Sequence, residues 1–217
     1  MWSIPTLLAS FLAFSKAVYS SPTPANDLLA GYRIVPMQWD FPIDLTAPDS
    51  TTVTVNGTIQ EAIAQMEASY PGWNATYHAR LMENSLLAPT RTSPMNAVLT
   101  ETPYTFSCKT DSNLMPETSD IAVGIAYLRR QPGTAKNGPG PNECGRVSCS
   151  YDAAILWCND NTYEKEVQWN AIADGAQFVC DKCRVKKGTD ATTEEWYVNG
   201  QASFGDKWRV VVQGQFC

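Results

Sequence analysis

Seven cysteines and one histidine are the residues of this 217-residue chain with the most chemistry in them. Cys108, Cys144, Cys149, Cys158, Cys180, Cys183 and Cys217 all fall in its second half. Cys180-Asp-Lys-Cys183 has the spacing of a redox centre or of half a zinc site. Structural zinc takes about four sulfur or nitrogen ligands, however, and His78 lies far upstream. Disulfides are the favoured reading, and an odd count leaves one thiol over. A serine or cysteine nucleophile needs a base, usually histidine. His78 follows Pro71-Gly72-Trp73 in an irregular stretch, has no Gly-x-Ser-x-Gly elbow to serve, and reads as an exposed surface residue.

Carboxylates are the remaining catalytic chemistry. Asp152, Asp160 and Asp174 fall near the best-defined elements, and two carboxyls at a suitable separation cleave a glycosidic bond. Asp160, inside Cys158-Asn-Asp-Asn-Thr162, is also a natural turn residue, and Asp174 belongs on a solvated helix face. No catalytic residue is assigned, and no metal ligand or cofactor is expected. Asn137-Gly-Pro-Gly-Pro141 lacks the Gly-Lys-Ser/Thr ending of a phosphate loop, and its prolines remove the N–H groups such a loop supplies. Of the seven tryptophans, Trp157, Trp169, Trp196 and Trp208 sit on expected elements where packing is the default. Trp39 and Trp73 are the exposed candidates for an aromatic carbohydrate platform.

Residues 1–20 read as a secretory signal peptide, with the apolar core Leu7–Phe14 and small residues Val18 and Ser20 before a cut near Ser21. Export gives the cysteines an oxidising compartment and the sequons Asn56-Gly-Thr58 and Asn74-Ala-Thr76 a use as glycosylation acceptors. Cleavage removes Lys16 and no acid, so the formal charge of −6 becomes −7. That argues against nucleic acid, whose binding needs a basic patch, and against an anionic membrane surface. No segment after the leader reaches the ~18 apolar residues of a membrane span.

The elements that must position these residues divide the remainder into an N-terminal β/α region with a connector, 21–100, and a cysteine-rich domain, 101–217. Tyr32–Trp39 reads as an edge strand because of Pro36, and Thr51–Val55 as a strand. Thr58-Ile-Gln-Glu61 is a capping box opening a helix to Tyr70. Residues 71–100 read as a connector with a short helix near 75–85. Further strands are expected at 104–108, 146–158, 196–204 (broken at Asn199-Gly200) and 208–216. Helices are expected at 119–130, capped by Ser119, and at 164–183. Gln131–Glu143 reads as a loop without regular structure. Gly175 costs about 1 kcal/mol against Ala inside a helix, so close packing on the sheet is its expected reason. Arg129-Arg130 suits either dibasic processing or a helix C-terminus. The order of elements implies an α+β fold, a mainly antiparallel sheet with helices packed on one face, stapled by disulfides.

Gly124–Leu128, Asn137–Pro141, Cys144-Gly-Arg-Val-Ser-Cys149, Trp157-Cys-Asn-Asp-Asn-Thr162, Ile172–Ala176, the terminal Cys217 and the upstream Val55–Glu61 together resemble a family of uncharacterised small secreted proteins of filamentous fungi. More distantly, the helix, Cys-x-x-Cys, strand and terminal Cys are similar to killer-toxin-like effector domains, which are disulfide-stapled α/β sandwiches. The resemblance implies an effector or toxin-like protein that binds an extracellular or host protein or glycan. Cys180 is an addition to the nearer family's pattern. The expected pairs are Cys158–Cys217, Cys149–Cys183 and Cys108–Cys144, with Cys180 spare. A secreted carboxylate-dependent hydrolase and a cell-surface structural or adhesive protein are the alternatives.

Overall fold

The computed structural model describes residues 28–44, 46–47, 51–87, 102–110, 114–187 and 195–217. The leader expected over 1–20 lies outside them. Among the described residues the strands are β1 (Arg33–Pro36), β2 (Gln38–Pro42), β3 (Thr52–Asn56), β4 (Thr105–Cys108), β5 (Thr134–Asn137), β6 (Glu143–Ser150), β7 (Ala153–Asn159), β8 (Lys165–Gln168), β9 (Val185–Lys186), β10 (Trp196–Tyr197), β11 (Gly200–Phe204) and β12 (Trp208–Gly214). The helices are α1 (Ile59–Ser69), α2 (Trp73–Leu87), α3 (Thr118–Arg130) and α4 (Trp169–Cys183).

A six-stranded sheet in the order β1-β6-β7-β12-β11-β4 is the frame. Its inner ladders are antiparallel, and β1 joins the edge in parallel with β6. Alternation along β7 sends Ala153, Ile155 and Trp157 to one face and Ala154, Leu156 and Cys158 to the other. The first face carries the main core, together with Ile59 and Met66 of α1, Ile121 and Leu128 of α3 and Ile172 and Val179 of α4. The second face holds a smaller core, closed by Leu28, Leu29 and Tyr32 rather than by a helix. The fold is therefore α+β with its helices on one face. The main core also takes in Trp39, Trp73 and Tyr77, so apolar packing runs across residue 100 without a break.

Several elements differ from the sequence expectation. The strand expected at 146–158 is a hairpin, β6 and β7, turned at Tyr151 (φ 52°) and Asp152 (φ 57°). Both turn residues are left-handed, as a two-residue hairpin loop requires. Within the loop expected at 131–143, Thr134–Asn137 forms β5 and pairs with β8. That pairing takes Lys165–Gln168 out of the helix expected from 164, because Val167 can bury itself equally well from a strand. The short helix expected near 75–85 is present as α2 and is longer, 15 residues from Trp73 to Leu87. Ser119 does not cap α3. Glu117 occupies the N-cap position without a side-chain cap, and Ser119 Oγ donates to its carboxylate at 3.1 Å. The capping box at Thr58 and Glu61 is present as read.

The disulfides are Cys108–Cys183, Cys144–Cys158 and Cys149–Cys217, and Cys180 is unpaired. None of the three expected pairs is present. Cys144 and Cys158 face each other across the hairpin, which is invisible until Tyr151-Asp152 is recognised as its turn. Cys158 and Cys217 end neighbouring strands, but the strands are antiparallel. Cys158 therefore lies opposite Arg209 at the start of β12, whereas Gly214 lies opposite Ala153 at the start of β7. Cys217 thus emerges beside Cys149.

Candidate functional site

The three carboxylates singled out in the sequence do not form a working pair. Asp174, expected on a solvated helix face, has a largely covered side chain on the side of α4 toward α3, where it accepts from Arg129 at 3.2 Å. Asp160 follows β7 on the helix-free face of the sheet. It accepts from Arg209 Nε at 3.0 Å and Nη2 at 3.2 Å, and from the Tyr32 hydroxyl at 2.8 Å. The Arg209 guanidinium stacks 4.3 Å from the Tyr32 ring centroid. Burial pushes the Asp160 carboxyl up and the Arg209 guanidinium down, and bidentate pairing is what offsets that cost for both. The cluster fastens the Leu28–Tyr32 segment over the second core. Asp152 stands alone at the hairpin turn, yet it shares a pocket of about 180 Å³ with Glu117 and Asp120 at the start of α3. Burial and then the neighbouring Glu117 charge push the Asp120 carboxyl up. Sequence reasoning passed over Glu117 and Asp120, whose signal there was only that of acids opening a helix.

The remaining candidates have structural roles. His78 is half-buried on α2 rather than exposed as expected, its ring 5.9 Å from that of Tyr127. Trp39 and Trp73 are buried, at 3% and 4% exposure. Trp39 stacks on Trp169 at 4.1 Å and Trp73 on Tyr77 at 4.4 Å, and the indoles donate to Gly57 O and Pro42 O. The two rings pin the β2–β3 ribbon and α2 to the main core, so neither offers a platform to a sugar. The run from Asn137 to Thr162 is also built for folding. Asn159 Nδ2 donates to Asn137 O at 2.9 Å and to Tyr163 O at 2.8 Å, and Asn161 Nδ2 donates to Asp206 O and Lys207 O. These buried amides satisfy carbonyls at the end of β5, in the loop before β8 and in the turn between β11 and β12.

Cys180 is 5% exposed, and burial pushes its thiol up to about 12. A thiol protonated at neutral pH is neither a nucleophile nor a soft ligand. Its partner in the Cys-x-x-Cys spacing, Cys183, is committed to Cys108. Among the described residues no group of three or more His, Cys, Asp or Glu is placed to hold a metal ion. None of their helices is long and apolar enough to cross a membrane.

A larger concavity than the Asp152 pocket lies elsewhere. A groove of about 660 Å³ runs between β1 and α1, its lining including Ile34, Pro36, Gly57, Ala64, Gln65 and Arg146. Its walls are held firmly. Gly57 N donates to Met37 O, Thr58 N donates to Glu61 Oε2 at 2.7 Å, and Gln65 Nε2 donates to Asn56 O at 2.7 Å. Arg146 Nη1 donates to Phe216 O at 3.2 Å, tying one wall to the C-terminus that Cys149–Cys217 secures. Asn56, the first sequon asparagine, is exposed at the rim, whereas Asn74 sits in the first turn of α2 with its side-chain oxygen buried. In the sequence only Pro36 hinted at this site, as the mark of an edge strand. The groove itself arises from β1 joining β6, a pairing between segments more than a hundred residues apart. No family profile, curated protein or solved structure compared with the chain matches it.

Proposed function

We propose that this chain is an exported, disulfide-stapled protein of the kind it resembles in filamentous fungi, acting by binding an extracellular or host target rather than by catalysis. The observation that carries the reading is the groove of about 660 Å³ between β1 and α1, set on a sheet edge that two ladders and a disulfide-tied wall hold in place. A pre-formed surface of this kind loses little entropy on binding. Three disulfides suit an oxidising compartment. Asp160 and Asp174 serve as fasteners, each paired to an arginine. The test is affinity capture from extracellular fluid on the immobilised, oxidised chain. One or a few partners should be retained reproducibly and lost when the disulfides are reduced. Retention of nothing beyond a blank matrix contradicts the proposal.

The pocket between Glu117, Asp120 and Asp152 favours a second reading, a carboxylate-dependent hydrolase. Burial and the adjacent Glu117 raise the Asp120 carboxyl above its ordinary value, the direction in which a general acid is tuned. Turnover of a glycan that Asp120→Asn abolishes in a folded protein would carry that reading over the first.

A further inference from the structure

The two sequons present their asparagines to solvent in opposite ways. Side chains alternate along β3, with Val53 and Val55 turned toward the core and Thr52, Thr54 and Asn56 outward. Asn56 stands opposite Gln38 on the outer face of the β2–β3 ribbon, and both are exposed. The Asn56 carbonyl accepts from Gln65 Nε2 at 2.7 Å, which holds the backbone. Its side-chain amide makes no hydrogen bond among the described residues. Asn74 is placed differently. Its N–H donates to Glu67 Oε2 at 2.8 Å, and its Oδ1 is buried. One turn further along α2, His78 packs toward Tyr127 of α3, so this side of the helix is turned to a neighbour. An amide is planar and its nitrogen lies beside its oxygen. A sugar on Asn74 Nδ2 would therefore have to displace what covers Oδ1.

We infer that Asn56 is the N-glycosylated residue of the folded chain and that Asn74, with an equally complete sequon, stays unmodified. The donor is a lipid-linked oligosaccharyl diphosphate. A bond forms between Asn56 Nδ2 and C1 of the first sugar, and the bond from C1 to the diphosphate oxygen breaks. The lipid diphosphate leaves with that electron pair, and the amide nitrogen gives up one proton. Transfer precedes the capping of α1, because the sequon is read through its threonine as well as its asparagine. In the fold Thr58 is 2% exposed and its hydroxyl is engaged with Glu61. A glycan added then stays in water at Asn56 as the chain folds. At Asn74 the same addition opposes the packing of α2 against its neighbours. Asn56 lines the rim of the groove beside β1, the terminal strand of the six-stranded sheet. A bulky, solubilising glycan there shields that edge from pairing with other chains.

This inference rests on the export reading, since the sugar donor is met in the secretory pathway. The test expresses the full chain in a glycosylating eukaryotic host, once with its own leader and once with a host leader in its place. The oxidised, folded chain is recovered from the medium or the cell. Glycans are released by an amidase in heavy-oxygen water, which converts each sugar-bearing asparagine to a labelled aspartate, and the label is mapped by mass spectrometry. The expected map has label at Asn56 and none at Asn74. The glycan mass should disappear in Asn56→Gln and persist in Asn74→Gln. Label at Asn74, or a folded chain without label at Asn56, overturns the proposal. Where Asn56→Gln fails to fold, the wild-type map decides alone. Secretion with the host leader but not with the chain's own contradicts the export reading, and the map of the secreted form still decides between the two sequons.

Discussion

Cys180 and Cys183 stand one helical turn apart on α4, and the fold treats them oppositely. Cys183 is oxidised to Cys108, while Cys180 faces the main core as a reduced apolar side chain. Its thiol, pushed up to about 12 by burial, has a value near 9 when exposed. Between those values the unfolded chain has lost a proton that the folded chain keeps, so this group's contribution to stability is full below pH 9 and falls as pH rises toward 12. Tyr77, buried against Phe41 and Trp73 with its hydroxyl donating to Gln131, is shifted up in the same direction. Melting temperature should therefore drop through this alkaline range, and more gently in Cys180→Ala than in wild type. Parallel curves for the two proteins would place the titrating group elsewhere. The pairing of residues was the least legible level in the sequence. Which cysteines meet depends on strand register, and register depends on turns such as Tyr151-Asp152 that carry no glycine or proline to announce them.

Elements were legible where local chemistry and tertiary packing agreed. The capping box at Thr58, the apolar stripe of α3 and the close packing of Gly175 all follow from short-range patterns. Where a distant partner decides the conformation, the pattern misleads. Val167 satisfies a helical stripe, but β5 recruits it into β8, and α2, expected only near 75–85, starts at Trp73, whose ring packs with Tyr77 against Phe41. The groove was illegible for the same reason, since its floor and its α1 wall come together only when β1 docks on β6. Gly175 offers a test in which two effects oppose. Alanine improves helix propensity by about 1 kcal/mol, but its Cβ would lie 2.7 Å from Val210 Cγ2 and 3.1 Å from Phe204 Cζ. Both neighbours are buried in the core and cannot give way cheaply. Overpacking typically costs about 1–3 kcal/mol, so Gly175→Ala should lose up to about 2 kcal/mol net, read as a lower urea midpoint. A raised midpoint would show that α4 stands further from the sheet than described.

For the whole molecule, the disulfides are the common fastener of both cores. Cys108–Cys183 ties the outer edge strand β4 to the end of α4, and Cys149–Cys217 ties the C-terminus to the hairpin. These bridges span 75 and 68 residues, against 14 for Cys144–Cys158. Loss of a native disulfide typically costs ~2–5 kcal/mol, set against a net stability of ~5–15 kcal/mol. Full reduction, verified by mass, should lower the melting temperature by at least about 10 °C, and an unchanged melt would contradict a stapled core. With the core secured in this way, the central claim is that the surface acts by binding and not by turnover. Purified, oxidised wild-type chain assayed on glycan, peptide and nucleic-acid substrates beside Asp120→Asn and Asp152→Asn tests it most directly. The account predicts no turnover by wild type above either variant; reproducible turnover of one substrate, abolished by either substitution in a protein that still folds, would contradict it.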